Sequence, residues 1–250
     1  MTIASDLTQR TSPWHEFWAG ARQTIPLIVG AIPFGIIFGT LAQTSGLSFF
    51  GTLAMSAFVF AGSSQFIALS LLAAGSPLGI IVLTTWVVNL RHLLYSVALV
   101  PYIKPLSQTW KLPLGFWLTD ETFMVAVQRY RQSDPSPHKH WFHLGSAMAM
   151  YGNWQLCTLI GLTLGQRIPD AAAWGLDFAM VATFIGMTIP YLTTRPMVAT
   201  VILAGMTALL TRSLPHQLGL IVAAIVGILA GVLLENRLRA EEFSTQNGKS

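Results

Sequence analysis

Charge is scarce in this chain: of its 250 residues, 10% are Asp, Glu, Lys or Arg, against 53% hydrophobic. A soluble domain carries about 25% charged residues. A chain this apolar has too little polar surface to cover a globule, so lipid is the expected solvent for much of it. Cysteine is almost missing. The single Cys157 excludes an intrachain disulfide and a multi-cysteine metal site, and inside its apolar segment it reads as a small packing residue. No basic patch exists, because the net charge of +4 comes from Lys and Arg scattered between apolar runs. That distribution argues against nucleic acid and reads instead as orientation signals for membrane insertion. Also missing is a Gly-x-x-x-x-Gly-Lys-Ser/Thr loop, which argues against a self-contained ATP-driven pump. Neither His-Glu-x-x-His nor a paired-aspartate protease signature is found, which weakens an intramembrane enzyme reading. The polar first 23 residues, with Asp6, Arg10, Glu16 and Arg22, give no cleavable signal peptide.

What the chain has in abundance is long apolar runs. About 20 such residues cross the hydrocarbon. Reading them between polar or Pro/Gly breaks predicts an all-α polytopic membrane protein with up to eight segments: 24–43, 49–73, 77–100, 112–127, 143–165, 176–194, 197–210 and 217–235. Segments 112–127 and 197–210 are short, and 49–73 contains the small polar run Ala61-Gly-Ser-Ser-Gln65, so seven spans or a re-entrant element are alternatives. The expected organisation is a polar cytoplasmic N-terminus over 1–23, a transmembrane domain over 24–235 and a frayed polar tail over 236–250. With eight spans, nine cationic residues (Arg10, Arg22, Arg129, Arg131, Lys139, Arg195, Arg237, Arg239 and Lys249) fall on one side and four on the other. That bias places the N-terminus in the cytoplasm.

Arg91 is the most telling residue. It lies in Thr85-Trp-Val-Val-Asn-Leu-Arg-His-Leu-Leu-Tyr95, with hydrocarbon on both sides. A charge at that depth costs at least ~2.5 kcal/mol and normally faces a partner or a polar cavity. Asp120 and Glu121, in a second apolar segment, are the available counter-ions, and Arg91, His92, Asp120, Glu121 and Asp177 form the candidate charge or proton-coupling network. On a regular helix Asn89 and Arg91 point nearly opposite ways, which requires protein around this helix or unwinding near Asn89. The run Phe60-Ala-Gly-Ser-Ser-Gln-Phe66 is the best candidate for a broken helix. Gly62, Ser63 and Ser64 weaken the helix, and an opening there would offer free N–H groups and hydroxyls to an anion such as an amino-acid carboxylate. Candidate substrate ligands are therefore Ser63, Ser64, Gln65, Asn89 and Arg91. In the first span, Gly30, Pro33, Gly35 and Gly39 offer either a close-packing seam or a backbone break. A faint internal echo, Gly46-Leu-Ser-Phe49 against Gly175-Leu-Asp-Phe178, is compatible with an inverted repeat. His138, His140 and His143 near the longest polar connection read as solvated rather than metal-binding.

Taken in order, Gly30-x-x-Pro33-x-Gly35-x-x-x-Gly39, Phe60-Ala-Gly-Ser-Ser-Gln-Phe66, Asn89-Leu-Arg-His92, Leu118-Thr-Asp-Glu121, Gly175-Leu-Asp-Phe178 and Phe184-Ile-Gly186 resemble the AzlC/YgaZ family. Those proteins are the large subunits of bacterial branched-chain amino acid exporters. The resemblance implies export of valine, leucine, isoleucine and methionine across the inner membrane, proton coupling, no cofactor, and a small hydrophobic AzlD/YgaH-like partner. A channel or a non-transporting scaffold could use the same polar residues. A membrane enzyme built on Ser63, Ser64 and His92 is the remaining alternative.

Overall fold

The first helix starts well ahead of the apolar run at residue 24. Ser12 accepts a hydrogen bond from the His15 backbone N–H at 3.2 Å, and Pro13 sits where its missing donor costs nothing. The computed structural model describes residues 12–134, 136–165, 185, 189, 192–214 and 218–247. Among the described residues the chain is all-helical, without strands. The nine helices among the described residues are α1 (Pro13–Thr44), α2 (Phe49–Phe58), α3 (Gly62–Ala73), α4 (Leu78–Ile103), α5 (Gln108–Phe116), α6 (Asp120–Arg131), α7 (Lys139–Leu164), α8 (Arg195–Leu210) and α9 (Leu218–Asn247). Three of them, α1, α4 and α9, are long and apolar enough to cross a membrane. Leu78, Val82, Trp86, Leu93, Leu94 and Val97 along α4 are exposed, the pattern of a helix solvated by hydrocarbon. The chain is a polytopic membrane protein.

Two expected segments differ from what is observed, and a third breaks at the run expected to interrupt it. Segment 49–73 is split into α2 and α3, with Val59, Phe60 and Ala61 between them. Segment 112–127 is not one helix but the ends of α5 and α6, separated at Trp117, Leu118 and Thr119. Helix α9 continues through Arg237 to Asn247, where a frayed tail was expected; good helix formers and the Arg239–Glu235 pair at 2.6 Å favour its extension. Segment 176–194 lies largely outside the described residues.

The described residues group into two units. The first contains α1, α2, α3, residues 88–103 of α4, and α5 to α7. Its centre is the seam between α1 and α7, built from glycines on both helices. A Cβ on Gly20 or Gly39 would collide with the backbone of Phe142 or Thr158, and one on Gly145 or Gly161 with that of Phe17 or Ile36. On Gly35 it would stand 2.5 Å from the Cys157 Cβ. Small residues let helix backbones approach in lipid, where packing rather than water exclusion drives association. Buried hydroxyls add to the seam: Thr24 Oγ1 donates to Ser146 Oγ at 2.7 Å, and Thr40 Oγ1 to the Gly161 carbonyl at 3.3 Å.

One end of this unit carries a charged clasp that sequence reading missed. Arg129 donates through Nε to Glu16 Oε2 at 3.0 Å and through Nη2 to Glu16 Oε1, while Ser136 Oγ reaches Glu16 Oε1 at 2.7 Å. Arg129 also binds both Asp134 oxygens, at 2.6 and 2.8 Å, and Lys139 Nζ lies 3.0 Å from Asp134 Oδ1. Hydrogen bonding from Arg129, then from Lys139, holds the Asp134 carboxyl well below the usual carboxylate range.

In the second unit, α8 and α9 pack through Gly227 and Gly231 against Thr200 and Ala204, and Thr211 Oγ1 donates to the Gly219 carbonyl at 3.3 Å. Residues 75–87 belong to the same unit.

Candidate functional site

A helix interrupted in hydrocarbon leaves carbonyls without partners, each costing several kcal/mol unless something replaces the lost N–H groups. At the end of α2 side chains do this. Gln65 Nε2 donates to the Val59 carbonyl at 2.7 Å and to that of Met55 at 3.3 Å. Gln155 Nε2 donates to the Ser56 carbonyl at 3.0 Å, and the Tyr151 hydroxyl to that of Ala57 at 3.3 Å. Gln65 Oε1 in turn accepts from Trp154 Nε1 at 3.1 Å. The Gln65 amide is thus fully engaged and its side chain fully buried, so it belongs to the scaffold of the break rather than to an open ligand shell. Gly62 opens α3 because a Cβ there would stand 2.9 Å from the Trp154 ring.

Helix α3 starts at Ala61 with no side-chain cap. Its first N–H groups therefore face outward from the helix end, with the positive end of the helix dipole. The second break, at residues 117–119, ends differently. Thr119 Oγ1 accepts from the Thr122 N–H at 3.3 Å, and Asp120 and Glu121 occupy the first turn of α6, where acids complement the dipole.

Arg91 joins the two helix starts. Its Nη1 donates to Asp120 Oδ2 at 2.5 Å and its Nη2 to Ser63 Oγ at 2.8 Å. The neighbouring Ser64 Oγ donates to Asn89 Oδ1 at 2.5 Å. Helix α4 runs without interruption through Asn89, so protein contacts on more than one face, not unwinding, accommodate Asn89 and Arg91. The Arg91 and Asp120 side chains retain 24% and 13% of their exposure, which leaves the pair largely desolvated. An aromatic bridge spans the breaks: the Phe60 and Tyr151 ring centroids lie 5.0 Å apart, and those of Tyr151 and Trp117 5.7 Å apart. Three polar atoms of this region, Arg91 Nε, Asp120 Oδ1 and Trp117 Nε1, are buried without hydrogen-bond partners.

The other sequence-derived residues lie as follows. His92 Nδ1 is 3.2 Å from the Asn89 carbonyl of its own helix, and its ring meets Tyr95 edge-on. Gly35 and Gly39 sit in the α1–α7 seam. Gly30 and Pro33 lie within α1, which continues unbroken past both. Asp177 lies outside the described residues. Sequence reading missed Trp117 as a donor and the capping roles of Tyr151 and Trp154. No local pattern reveals the latter two, because their partners are 89 or more residues away. The second break did have a signal: Thr119 followed by two acids is a helix-start pattern.

Comparison with known proteins places the chain among membrane proteins. Over 219 residues the chain is 30% identical to the inner membrane protein YgaZ of Escherichia coli, covering 87% of this chain and 82% of that relative. It is 31% identical over 185 residues to the branched-chain amino acid transport protein AzlC of Bacillus subtilis, covering 73% and 70%. An uncharacterized membrane protein of Archaeoglobus fulgidus is 33% identical over 216 residues, with 84% and 92% covered. No solved structure matches the chain. The family model described as AzlC protein matches residues 26–168, which include both helix breaks and the Arg91–Asp120 pair, and the chain belongs to the AzlC family.

Proposed function

We propose that this chain is the large subunit of a secondary exporter that carries valine, leucine, isoleucine and methionine out across the bacterial inner membrane. The observation that carries the reading is Arg91, which links the uncapped start of α3 to the acidic start of α6. A guanidinium beside a helix N-terminus favours a carboxylate. In the proposed site the substrate carboxylate lies against Arg91, Ser63 and the first N–H groups of α3, with Phe60, Tyr151 and Trp117 beside the aliphatic side chain. Such placement at interrupted helices is a recurring solution in secondary transporters. A relative named for branched-chain amino acid transport supports the substrate class.

In this reading Asp120 and Glu121 form the proton-coupled pair, with His92 as a further member of the network. Gln65 and Gly62 hold the break open, and Gly35 and Gly39 keep α1 against α7. The N-terminus and the clasp of Glu16, Arg129 and Asp134 lie on the cytoplasmic side, consistent with the excess of Lys and Arg there. A small hydrophobic AzlD/YgaH-like subunit completes the carrier. Valine efflux from cells expressing the chain, with and without that subunit, tests the reading. Efflux against a gradient is expected with both subunits and should collapse on adding a protonophore. Efflux at the level of empty cells would contradict transport, and persistence under the protonophore would contradict proton coupling.

A further inference from the structure

The unpartnered atoms between the two breaks form a chemically mixed set. Asp120 gives one oxygen, Oδ2, to Arg91, whereas its other oxygen, Oδ1, is buried and accepts nothing. Arg91 Nε is a buried donor on the other half of the same ion pair, also without a partner. Buried polar groups in proteins are nearly always hydrogen-bonded, and each exception calls for an explanation. Here the pair lacks one donor, at Oδ1, and one acceptor, at Nε. A carboxylate alone supplies only the acceptor and an ammonium alone only the donor, whereas a zwitterionic amino acid supplies both.

We infer that Asp120 Oδ1 receives the α-ammonium group of the substrate, so that the site selects for a free amino group as well as for a carboxylate. The inference rests on the proposed transport reading and deepens it. Three relationships support it. The acceptor is fixed, because Asp120 is held at the first position of α6 by the Thr119 cap and by Arg91. A carboxylate and an ammonium separated by one carbon fit two adjacent opposite charges in contact, and Arg91 and Asp120 are in contact at 2.5 Å. The alternative acid, Glu121, has no buried oxygen without a hydrogen-bond partner, whereas Asp120 has one in Oδ1. A site built to pair a substrate N–H discriminates strongly against an analogue lacking it, since the buried acceptor is then left empty.

Counterflow in proteoliposomes holding the full chain together with its small partner subunit, preloaded with valine, tests this. Labelled valine entry is competed with external valine, with isovalerate, which lacks the amino group, and with N-acetylvaline, in which it is capped. Valine should compete, while isovalerate and N-acetylvaline should be at least about tenfold weaker. Asp120→Asn should weaken valine at least about tenfold and leave isovalerate unchanged. Ligand-dependent thermal stabilisation of the full chain in detergent gives a second measurement that needs no transport cycle. Valine should raise the unfolding temperature, and isovalerate at the same concentration should not. Isovalerate matching valine in either measurement overturns the ammonium assignment while leaving transport intact. Absence of any valine exchange and of any valine stabilisation overturns the transport reading and this inference together.

Discussion

Gln65 Nε2 donates to the Val59 carbonyl at 2.7 Å, in the place where a continuous helix would have used the N–H of Ser63. A side chain thereby substitutes for backbone, and the break between α2 and α3 becomes tolerable in lipid. Gln65→Leu preserves bulk but removes this donor and the partner of Trp154 Nε1. Leaving buried groups unsatisfied costs about 1–3 kcal/mol, so the unfolding temperature in detergent should fall by roughly 2–12 °C. An unchanged transition would show that the break does not depend on Gln65.

Gly161 and Gly152 lie on the same helix but in different surroundings. A Cβ on Gly161 would collide with the Ile36 carbonyl, whereas one on Gly152 meets nothing within 4 Å. Gly161→Ala should therefore force α1 and α7 apart and cost about 1–3 kcal/mol. Gly152→Ala should be neutral or slightly stabilising, since Ala is the better helix former. Thermal unfolding of the two variants side by side checks this, and equal effects would contradict the seam described here.

The clasp of Arg129 and Asp134 has a pH dependence whose sign follows from its geometry. The folded carboxyl of Asp134 is held below its ordinary value by Arg129 and Lys139. Its contribution is thus fully present above the unfolded value, about 3.9, and is lost as pH falls through the depressed folded value. Asp134 is 41% exposed, so solvent screening keeps the contribution below about 1 kcal/mol. The difference in unfolding temperature between the parent and Asp134→Asn should be constant from about pH 8 to 5 and should shrink below about pH 4. A difference that grows on acidification would reverse the assignment.

The membrane character and the importance of Arg91 were legible because hydrocarbon makes a lone charge costly, so its presence implies a partner wherever the chain folds. Which acid would pair with it was not legible: Asp120 and Glu121 are adjacent, and only the start of α6 at Thr119 turns Asp120 toward Arg91. The weak run at Gly62 foretold an interruption, but the scaffold role of Gln65 was not legible because its acceptors lie on the other side of that interruption. Glu16 gave no signal, since its burial depends on Arg129, 113 residues away. Long-range pairing of this kind leaves no local trace in composition or period.

Arg91 also permits a test of the pair as a unit. Breaking a desolvated ion pair by removing one partner strands the other charge, typically at 3–5 kcal/mol when the pair is fully buried. The partial exposure of both side chains here lowers that figure. Arg91→Ala alone should reduce the yield of folded protein more than Arg91→Ala combined with Asp120→Asn, as read by monodisperse recovery after solubilisation. Equal or lower recovery of the double variant would argue that the two charges are not coupled.

Arg91 and Asp120 together form the proposed substrate site. Labelled valine counterflow decides it, with parent, Arg91→Ala, Asp120→Asn and the exposed control Glu235→Gln reconstituted with the small subunit at matched density. Parental exchange is expected for the control and a loss of at least about tenfold for each site variant. Parental exchange by both Arg91→Ala and Asp120→Asn would contradict it.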